Sequence, residues 1–345
     1  MKLFSFFRQN LAIDLGTANT LIIQDEEVVV DEPSIVAINR KSEDLLAVGR
    51  RAMQMHEKTH DHIKTIRPLK DGVIADFKAA EQMIKGMIEM IGTKRKFFTH
   101  LKMVICIPSG ITEVEKRAVF ESAARVDSRE TYLIFEPMAA ALGIGLDIEE
   151  PVGNMIIDIG GGTTEIAIIA LSGIVTDESI RIAGDEFTEN IVAYMKRKHN
   201  ILIGERTAEQ IKIRVGSALP ELEDEPDDLP INGRDLLTGV PKQIFVTYKE
   251  VSEALDESIM AIEEAVFRAL EKTGPEISSD LYRTGIYLTG GGALLRGLDE
   301  RLSRKTKLPV HVAEDPLRAV VRGTSKALAD TERYRTILIS SSSVS

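Results

Sequence analysis

NMIIDIGGGTTE, residues 154–165, decides how this chain is read. It begins as a short apolar strand, sets Asp158 at the strand end and then breaks into glycine and threonine. LAIDLGTANT, residues 11–20, follows the same plan with Asp14, 144 positions earlier. Glycine lets the backbone approach an anion and adopt positive φ, and the N–H groups and hydroxyls that follow supply donors in a concave nest. The predicted phosphate contacts are therefore Gly16, Thr17, Ala18 and Asn19 in one turn, and Gly160, Gly161, Gly162 and Thr163 in the other. A carboxylate is repelled by phosphate, so Asp14 and Asp158 are read as holding Mg2+, through its water molecules. Two such turns facing each other would clamp a nucleotide triphosphate and its metal. Both halves continue as strand, glycine turn, strand, strand, and an internal duplication explains that economically.

A length of 345 residues predicts about two domains and enough buried surface to dispense with disulfides or a structural metal. Cys106 is the single cysteine, which excludes an intramolecular disulfide and fits a reducing compartment. It lies in the apolar run 103–107 and is read as a small core residue. The net charge of -11 argues against general binding to nucleic acid, because a polyanion is repelled at long range. Arg8, Gln9 and Asn10 interrupt the opening run 1–7 before a secretory h-region develops, so no such signal is expected. No stretch of about 18 apolar residues predicts a membrane-spanning helix. The expectation is a cytoplasmic protein, at most peripheral to a membrane.

Strands are predicted over 11–13, 21–24 and 28–30. The polar stretch 39–64 carries His56, His60 and His62, and without an H-E-x-x-H pattern it is read as a solvated helix and not as a metal site. Met83, Ile84, Met87, Ile88 and Ile91 fall at the spacing of a core-facing helix that Gly92 ends. Lys94-Arg95-Lys96-Phe97-Phe98 reads in two ways: aromatics turned into the core behind a cationic rim, or a loop that inserts Phe97 and Phe98 into a bilayer with anionic headgroups. Thr112 and Glu115 form a capping box. After a strand over 132–135, Glu136-Pro137 opens a helix that Gly143 closes, which puts a carboxylate where it can point into a cleft. A second capping box at 207–210 opens a helix with Glu209 and Lys212 on one face, either a surface ion pair or a ribose and base contact. Residues 221–228 form an acidic loop, and helices are expected over 187–198 and 248–272. The strand 286–289 ends in Gly290-Gly291-Gly292 before a helix over 293–304, a third place for a ligand to meet backbone N–H groups.

No G-x-x-x-x-G-K-[ST] is present, so a P-loop is excluded. Phosphoryl transfer to water needs a metal, donors on the phosphates and one group to orient the water. The chain offers Asp14 and Asp158 for the first, the two turns for the second and Glu136 for the third.

IDLGTANT at 13–20, IDIGGGTTE at 157–165, EPMAAALG at 136–143, GERTAEQIK at 204–212 and LTGGGALLRGLD at 288–299 resemble the nucleotide-site motifs of the actin and heat-shock chaperone ATPase superfamily. KDGVIADF at 70–77, PSGIT at 108–112, AGDEF at 183–187 and GRDLLTGVPK at 233–242 narrow the resemblance to the MreB family of bacterial actin homologues, over about residues 11–329. The resemblance implies an α/β, actin-like ATPase fold of two lobes, each with a mixed β-sheet flanked by helices, with four subdomains and ATP and Mg2+ between the lobes. The first lobe would be 1–150, with a small subdomain at about 32–67 and a helix at 316–335 returning to it; the second would be 151–315, with a small subdomain at about 182–248. By the matched motifs, Glu136 orients the attacking water with help from Thr163 and Asp158, Glu209 and Lys212 contact the ribose and base, and Gly290, Gly291, Gly292 and Ala293 line the adenosine. Members of this family polymerise as paired filaments on the inner membrane and organise wall-synthesis and elongation proteins. Phe97 and Phe98 fall where the family carries an apolar membrane loop, which favours insertion, with residues 1–7 as a second anchor.

Two places depart from the family pattern. Arg125-Val126-Asp127-Ser128-Arg129 replaces a small, glycine-containing turn, and Phe135 stands where an acid often precedes the glutamate, which points to an altered hydrolysis rate. A chaperone-type ATPase would need a substrate-binding domain after residue 329, and a sugar kinase would need an acceptor pocket; neither is legible here.

Overall fold

The computed structural model describes residues 8–56, 58, 61–92, 100–126 and 128–341. The chain divides into two compact units, one comprising Met1–Pro151, Ile169–Val175 and Leu317–Ser345, the other Val152–Ile168 and Thr176–Pro316.

A mixed sheet of six strands carries the first unit. Arg8–Leu15, Asn19–Gln24 and Glu27–Pro33 form an antiparallel meander. On the other side of Arg8–Leu15, His100–Ile107 and then Ser128–Phe135 run parallel to it, and the short Ile339–Ser340 closes that edge. Helix Phe77–Met90 buries Met83, Ile84 and Met87 against Leu11, Ile13, Met103 and Ile105, as its 3.6-residue spacing requires. Asp76 caps that helix by accepting from the Ala79 amide at 3.0 Å, and Thr112 with Glu115 caps Glu113–Arg125 reciprocally.

The second unit has a sheet of five strands in the order Gly173–Ile180, Thr164–Ala170, Asn154–Ile159, Ile286–Thr289, Val310–Val312, the last two parallel to Asn154–Ile159. The meander and the parallel strands beside it thus stand in the same order in both units. Thr164–Ala170 is buried along its whole length, which is why TEIAIIA reads as a continuous apolar run and not as an alternation. Phe187, Tyr194, Ile259 and Ile262 from helices Gly184–His199 and Tyr248–Glu271 pack with Ile157 and Ile168 of this sheet. Each unit also carries a small three-stranded sheet: Leu45–Val48, Val36–Asn39 and Ile63–Ile66 in the first; Ile201–Leu202, Leu229–Asp235 and Pro241–Val246 in the second. This is the α/β architecture of two duplicated mixed sheets and four subdomains that the sequence led one to expect.

Helices Glu136–Gly143 and Ala319–Ala329 of the first unit touch backbone to backbone. A Cβ on Gly143 would lie 1.8 Å from the Ala319 carbonyl oxygen, and one on Gly323 would lie 1.7 Å from that of Ala139. Lys326 Nζ donates to the Leu142 carbonyl at 2.8 Å and so satisfies the end of the shorter helix.

Several local expectations are corrected. Among the described residues of 39–64 only Arg50–Met55 is helical; Leu45–Val48 and Ile63–Ile66 are strands whose Ala47 and Ile63 pack with Ile35, Ala37 and Ala52, while Leu45, Val48 and Ile66 pack into the core that holds Met83. His56 Nδ1 hydrogen-bonds Thr65 Oγ1 at 2.9 Å, and His60 lies outside the described residues. No capping box forms at Thr207: the helix begins at Glu205 with Gly204 as its cap, and the Thr207 amide donates to the Gly204 carbonyl within the first turn. The single helix expected over 293–304 is a 3-10 turn, Gly291–Leu294, followed by helix Leu298–Thr306, with Gly297 between them at φ 72. Residues 1–7, Asp127 and the loop with Phe97 and Phe98 lie outside the described residues. Among the described residues no helix is long and apolar enough to cross a membrane.

Candidate functional site

In the first unit the residues predicted to act converge on the ends of three adjacent strands. Asp14 closes Arg8–Leu15 and stands beside Cys106 of His100–Ile107, which in turn stands beside Ile134 of Ser128–Phe135. Glu136 follows as the first helical residue, with Pro137 next to it. The carboxyl ends of parallel strands are where open α/β sheets bind ligands, because chain reversals there leave backbone groups unpaired. Cys106 Sγ donates to Asp14 Oδ1 at 3.1 Å. Burial pushes this thiol well above its ordinary value, and the negative charges of Asp14 and Glu136 push it the same way. It therefore stays protonated, as the donor to Asp14.

The turn that follows Asp14 needs its glycine. A Cβ on Gly16 would meet the Asn19 carbonyl oxygen at 2.6 Å. Ser34 braces the turn from outside: its hydroxyl donates to the Gly16 carbonyl at 2.6 Å and its amide donates to that of Ala18 at 2.9 Å. Thr17 Oγ1 accepts from the Gly72 amide at 3.1 Å, which leaves the hydroxyl proton available to an incoming acceptor. Burial pushes the Asp14 carboxyl up to about 6, opposed by the Cys106 hydrogen bond. A carboxylate in such surroundings lacks a counter-charge, and a bound cation would supply one.

The second unit builds the corresponding corner. Asp158 stands beside Thr289 of Ile286–Thr289, and Thr289 Oγ1 donates to Asp158 Oδ1 at 2.9 Å. The turn Gly160–Thr163 is closed by the Gly160 amide on the Thr163 carbonyl at 2.9 Å, and Thr163 is buried. Gly184 and Asp185, at the start of their helix, donate amides to the Gly160 and Gly161 carbonyls at 3.1 and 2.7 Å. The Gly184 carbonyl accepts in turn from Lys212 Nζ at 2.7 Å, and Lys212 pairs with Glu209 at 2.7 Å. Thr188 Oγ1 lies between them, 3.0 Å from Lys212 Nζ and 2.8 Å from Glu209 Oε2. Glu209 and Lys212 are thereby tied to the phosphate turn through the helix start. Gly290, at φ 77, has no room for a side chain: its Cβ would meet the Ile159 carbonyl oxygen at 2.4 Å and Asp158 Oδ1 at 2.7 Å. Gly291, Gly292 and Ala293 form the 3-10 turn directly after it.

The structure therefore gathers Asp14, Gly16–Asn19 and Glu136 in the first unit, and Asp158, Gly160–Thr163, Glu209, Lys212 and Gly290–Ala293 in the second. Sequence reasoning missed Cys106, Thr289, Ser34, Gly184 and Thr188, all of which bond to site residues. The only trace of Cys106 and Thr289 in the sequence is a small polar residue near the end of a buried strand, VICIP and IYLTGG. Phe135, the departure beside Glu136, has Lys116 Nζ 5.5 Å from its ring centroid, so a cation covers it. Among the described residues no group of three or more His, Cys, Asp or Glu is placed to hold a metal.

A family model described as MreB/Mbl protein matches residues 8–336. The chain is 46% identical over 328 residues to the cell shape-determining protein Mbl of Bacillus subtilis (strain 168), covering 95% of this chain and 98% of that protein. It is 47% identical over 332 residues to the cell shape-determining protein MreB of Escherichia coli (strain K12), covering 95% of each. The crystal structure of MreB5 of Spiroplasma citri bound to AMPPNP superposes with a TM-score of 0.88 at 37% identity, over 95% of this chain and 98% of that one. A MamK double helical filament shares the fold alone, with a TM-score of 0.78 at 20% identity over 93% and 99% of the two chains.

Proposed function

The chain belongs to the MreB/Mbl family, and from that premise we propose that it is an actin-like cytoskeletal ATPase that assembles into filaments and governs cell shape. One observation carries the reading furthest: the aspartate-headed glycine turn occurs twice, each time with a side-chain donor from the next parallel strand on one oxygen of the aspartate. Gly16, Thr17, Ala18 and Asn19, with Gly160, Gly161, Gly162 and Thr163, hold the phosphates of ATP. Asp14 and Asp158 hold Mg2+ through its waters, Glu209 and Lys212 hold the ribose and base, and Gly290 to Ala293 line the adenosine. The metal, when bound, neutralises charge on the phosphate oxygens. Glu136 orients the attacking water, with Thr163 beside the turn assisting. Support for a nucleotide comes from the MreB5 chains, one bound to AMPPNP and another to ADP. Support for a role in cell shape comes from the cell shape-determining relatives.

The further parts of the reading are a cytoplasmic location on the inner face of the membrane, contact through Phe97, Phe98 and residues 1–7, and partners among wall-synthesis proteins. The first two rest on the cationic and aromatic character of those stretches. Sedimentation and electron microscopy with ATP and Mg2+, with and without anionic vesicles, test the whole. Nucleotide-dependent polymers are expected, bound to vesicles and released by Phe97→Ser with Phe98→Ser. A protein that stays monomeric under all of these conditions removes the proposal.

Lys212→Met keeps the aliphatic stem and removes the ammonium from Gly184, Thr188 and Glu209. A charged hydrogen bond contributes about 1.5–3 kcal/mol, so nucleotide affinity is expected to fall by about tenfold or more. Fluorescent-nucleotide titration measures this, and an unchanged affinity would mean that Lys212 serves only the packing of its helix.

A further inference from the structure

The two hydrogen bonds on the duplicated aspartates have more in common than their partners suggest. Asp14 stands beside Cys106 and Asp158 beside Thr289, in each case across the parallel pair that joins the meander to the rest of its sheet. In both, one carboxylate oxygen accepts, at 3.1 Å from the sulfur and 2.9 Å from the hydroxyl oxygen. A thiol and a hydroxyl have little in common apart from being small, uncharged side chains that carry one donor. What the two halves share at this position is thus the donor and not the residue type.

The surroundings restrict how each carboxylate can turn. Gly290 walls Oδ1 of Asp158, since a Cβ there would come within 2.7 Å of it. With Thr289 on the same oxygen, that side of the carboxylate is filled and the carboxylate plane is held. On the other half the backbone of Leu15, the residue after Asp14, hydrogen-bonds the Cys106 sulfur, which aims the thiol proton at Asp14. A carboxylate rotates easily about its last bond, and a donor on one oxygen locks the plane. Carboxylates that hold metals are themselves hydrogen-bonded in this manner, and loss of the supporting bond typically costs about 10- to 100-fold in metal affinity.

We propose that Cys106 and Thr289 are a matched pair of positioning residues, one per half, that orient Asp14 and Asp158 toward the divalent cation accompanying the nucleotide. This rests on the assignment of the two aspartates to the metal made above. Neither residue touches the cation or the phosphates. Thr289 is the stronger donor of the two, because an S–H bond is weak.

The test uses the full chain, with AMPPNP as the nucleotide and Mn2+ as the probe, and free Mn2+ followed by electron paramagnetic resonance. Thr289→Val removes the hydroxyl at nearly constant shape, and Thr289→Ser restores it; Cys106→Ala and Cys106→Ser form the corresponding pair. Thr289→Val is expected to weaken Mn2+ binding by about 10- to 100-fold and Cys106→Ala by less, with both serine variants close to the parent. The spectrum of the bound Mn2+ should also change in the two variants that lack a donor. Mn2+ binding unaltered in Thr289→Val and Cys106→Ala overturns the proposal, as does a loss that serine fails to restore, which would mark a packing lesion. Should Thr289→Val fail to fold, the Cys106 pair decides alone. A parent protein that holds no Mn2+ with AMPPNP sinks instead the assignment of the aspartates.

Discussion

Glu136→Ala is expected to lower ATP turnover by about 10²- to 10⁴-fold while nucleotide binding persists, the range lost when a positioned acid or base is removed. Glu136 is the first residue of helix Glu136–Gly143, directly after Ser128–Phe135, so a rigid strand and a helix start fix its backbone. Its charge is felt by Cys106, the same thiol that bonds Asp14, which puts it within the corner that holds the predicted metal ligand. A carboxylate there donates nothing to phosphate, and its removal subtracts from the reaction without subtracting from binding. Single-turnover phosphate release and fluorescent-nucleotide titration separate the two quantities. Turnover within a few-fold of the parent would move the water-orienting role to another side chain. Phe135→Glu is the companion measurement: it would bring a second acid beside Glu136 and within reach of Lys116, and an unchanged rate would show that the departure is silent.

The largest effect on stability is expected at Gly323. Its missing Cβ would sit 1.7 Å from the Ala139 carbonyl oxygen, and no rotamer change relieves a clash between two backbones. Overpacking ordinarily costs about 1–3 kcal/mol because side chains can shift; here two helices must separate, and Gly323→Ala is placed at or above about 3 kcal/mol. At an unfolding entropy of about 2.1 cal/mol/K per residue, each kcal/mol shifts the melting temperature of a chain this long by about 1.4 °C, so it should fall by about 4 °C or more. Gly145→Ala is the contrast, since that glycine, at φ 88, has nothing within 4 Å of the added carbon and only the backbone preference opposes it. Thermal unfolding of the two variants side by side checks the claim. Equal losses would mean that the helix contact is looser than these distances state. The Gly323 lesion should also impair hydrolysis, because the helix it displaces begins with Glu136.

Much of this was legible in the chain before any coordinates. NMIIDI and LAIDL announced buried strands by their isoleucine and leucine content, the glycines after each aspartate announced the turns, and the recurrence of the pattern announced the duplication. Glu209 and Lys212, three apart on a helix, could be paired from spacing alone, and they are paired. The errors have two physical origins, one local and one in long-range pairing. Thr207 has the residue type of a cap, yet Gly204 starts the helix three residues earlier, because an extended glycine satisfies the same geometry without a side chain. Leu45–Val48 looks too short and polar in its flanks to be a strand until Val36–Asn39 is placed beside it. Cys106 lies 92 residues from Asp14, and only the register of two parallel strands brings the thiol to the carboxylate. Local chemistry was readable; partners supplied by distant strands were not.

The seat of Ala319–Ala329 against Glu136–Gly143 has a bearing on how the protein is made. The segment 1–151 is made before the second unit, but its own unit is completed by residues 317–345, which are made after it. The second unit, by contrast, has its whole run 176–316 in hand before that helix leaves the exit tunnel. Nascent domains usually mature from the amino terminus onward. Here the run 176–316 is made before the helix that seats on Ala139 and Gly143, so the first unit gains that contact only after the residues of the second have been made.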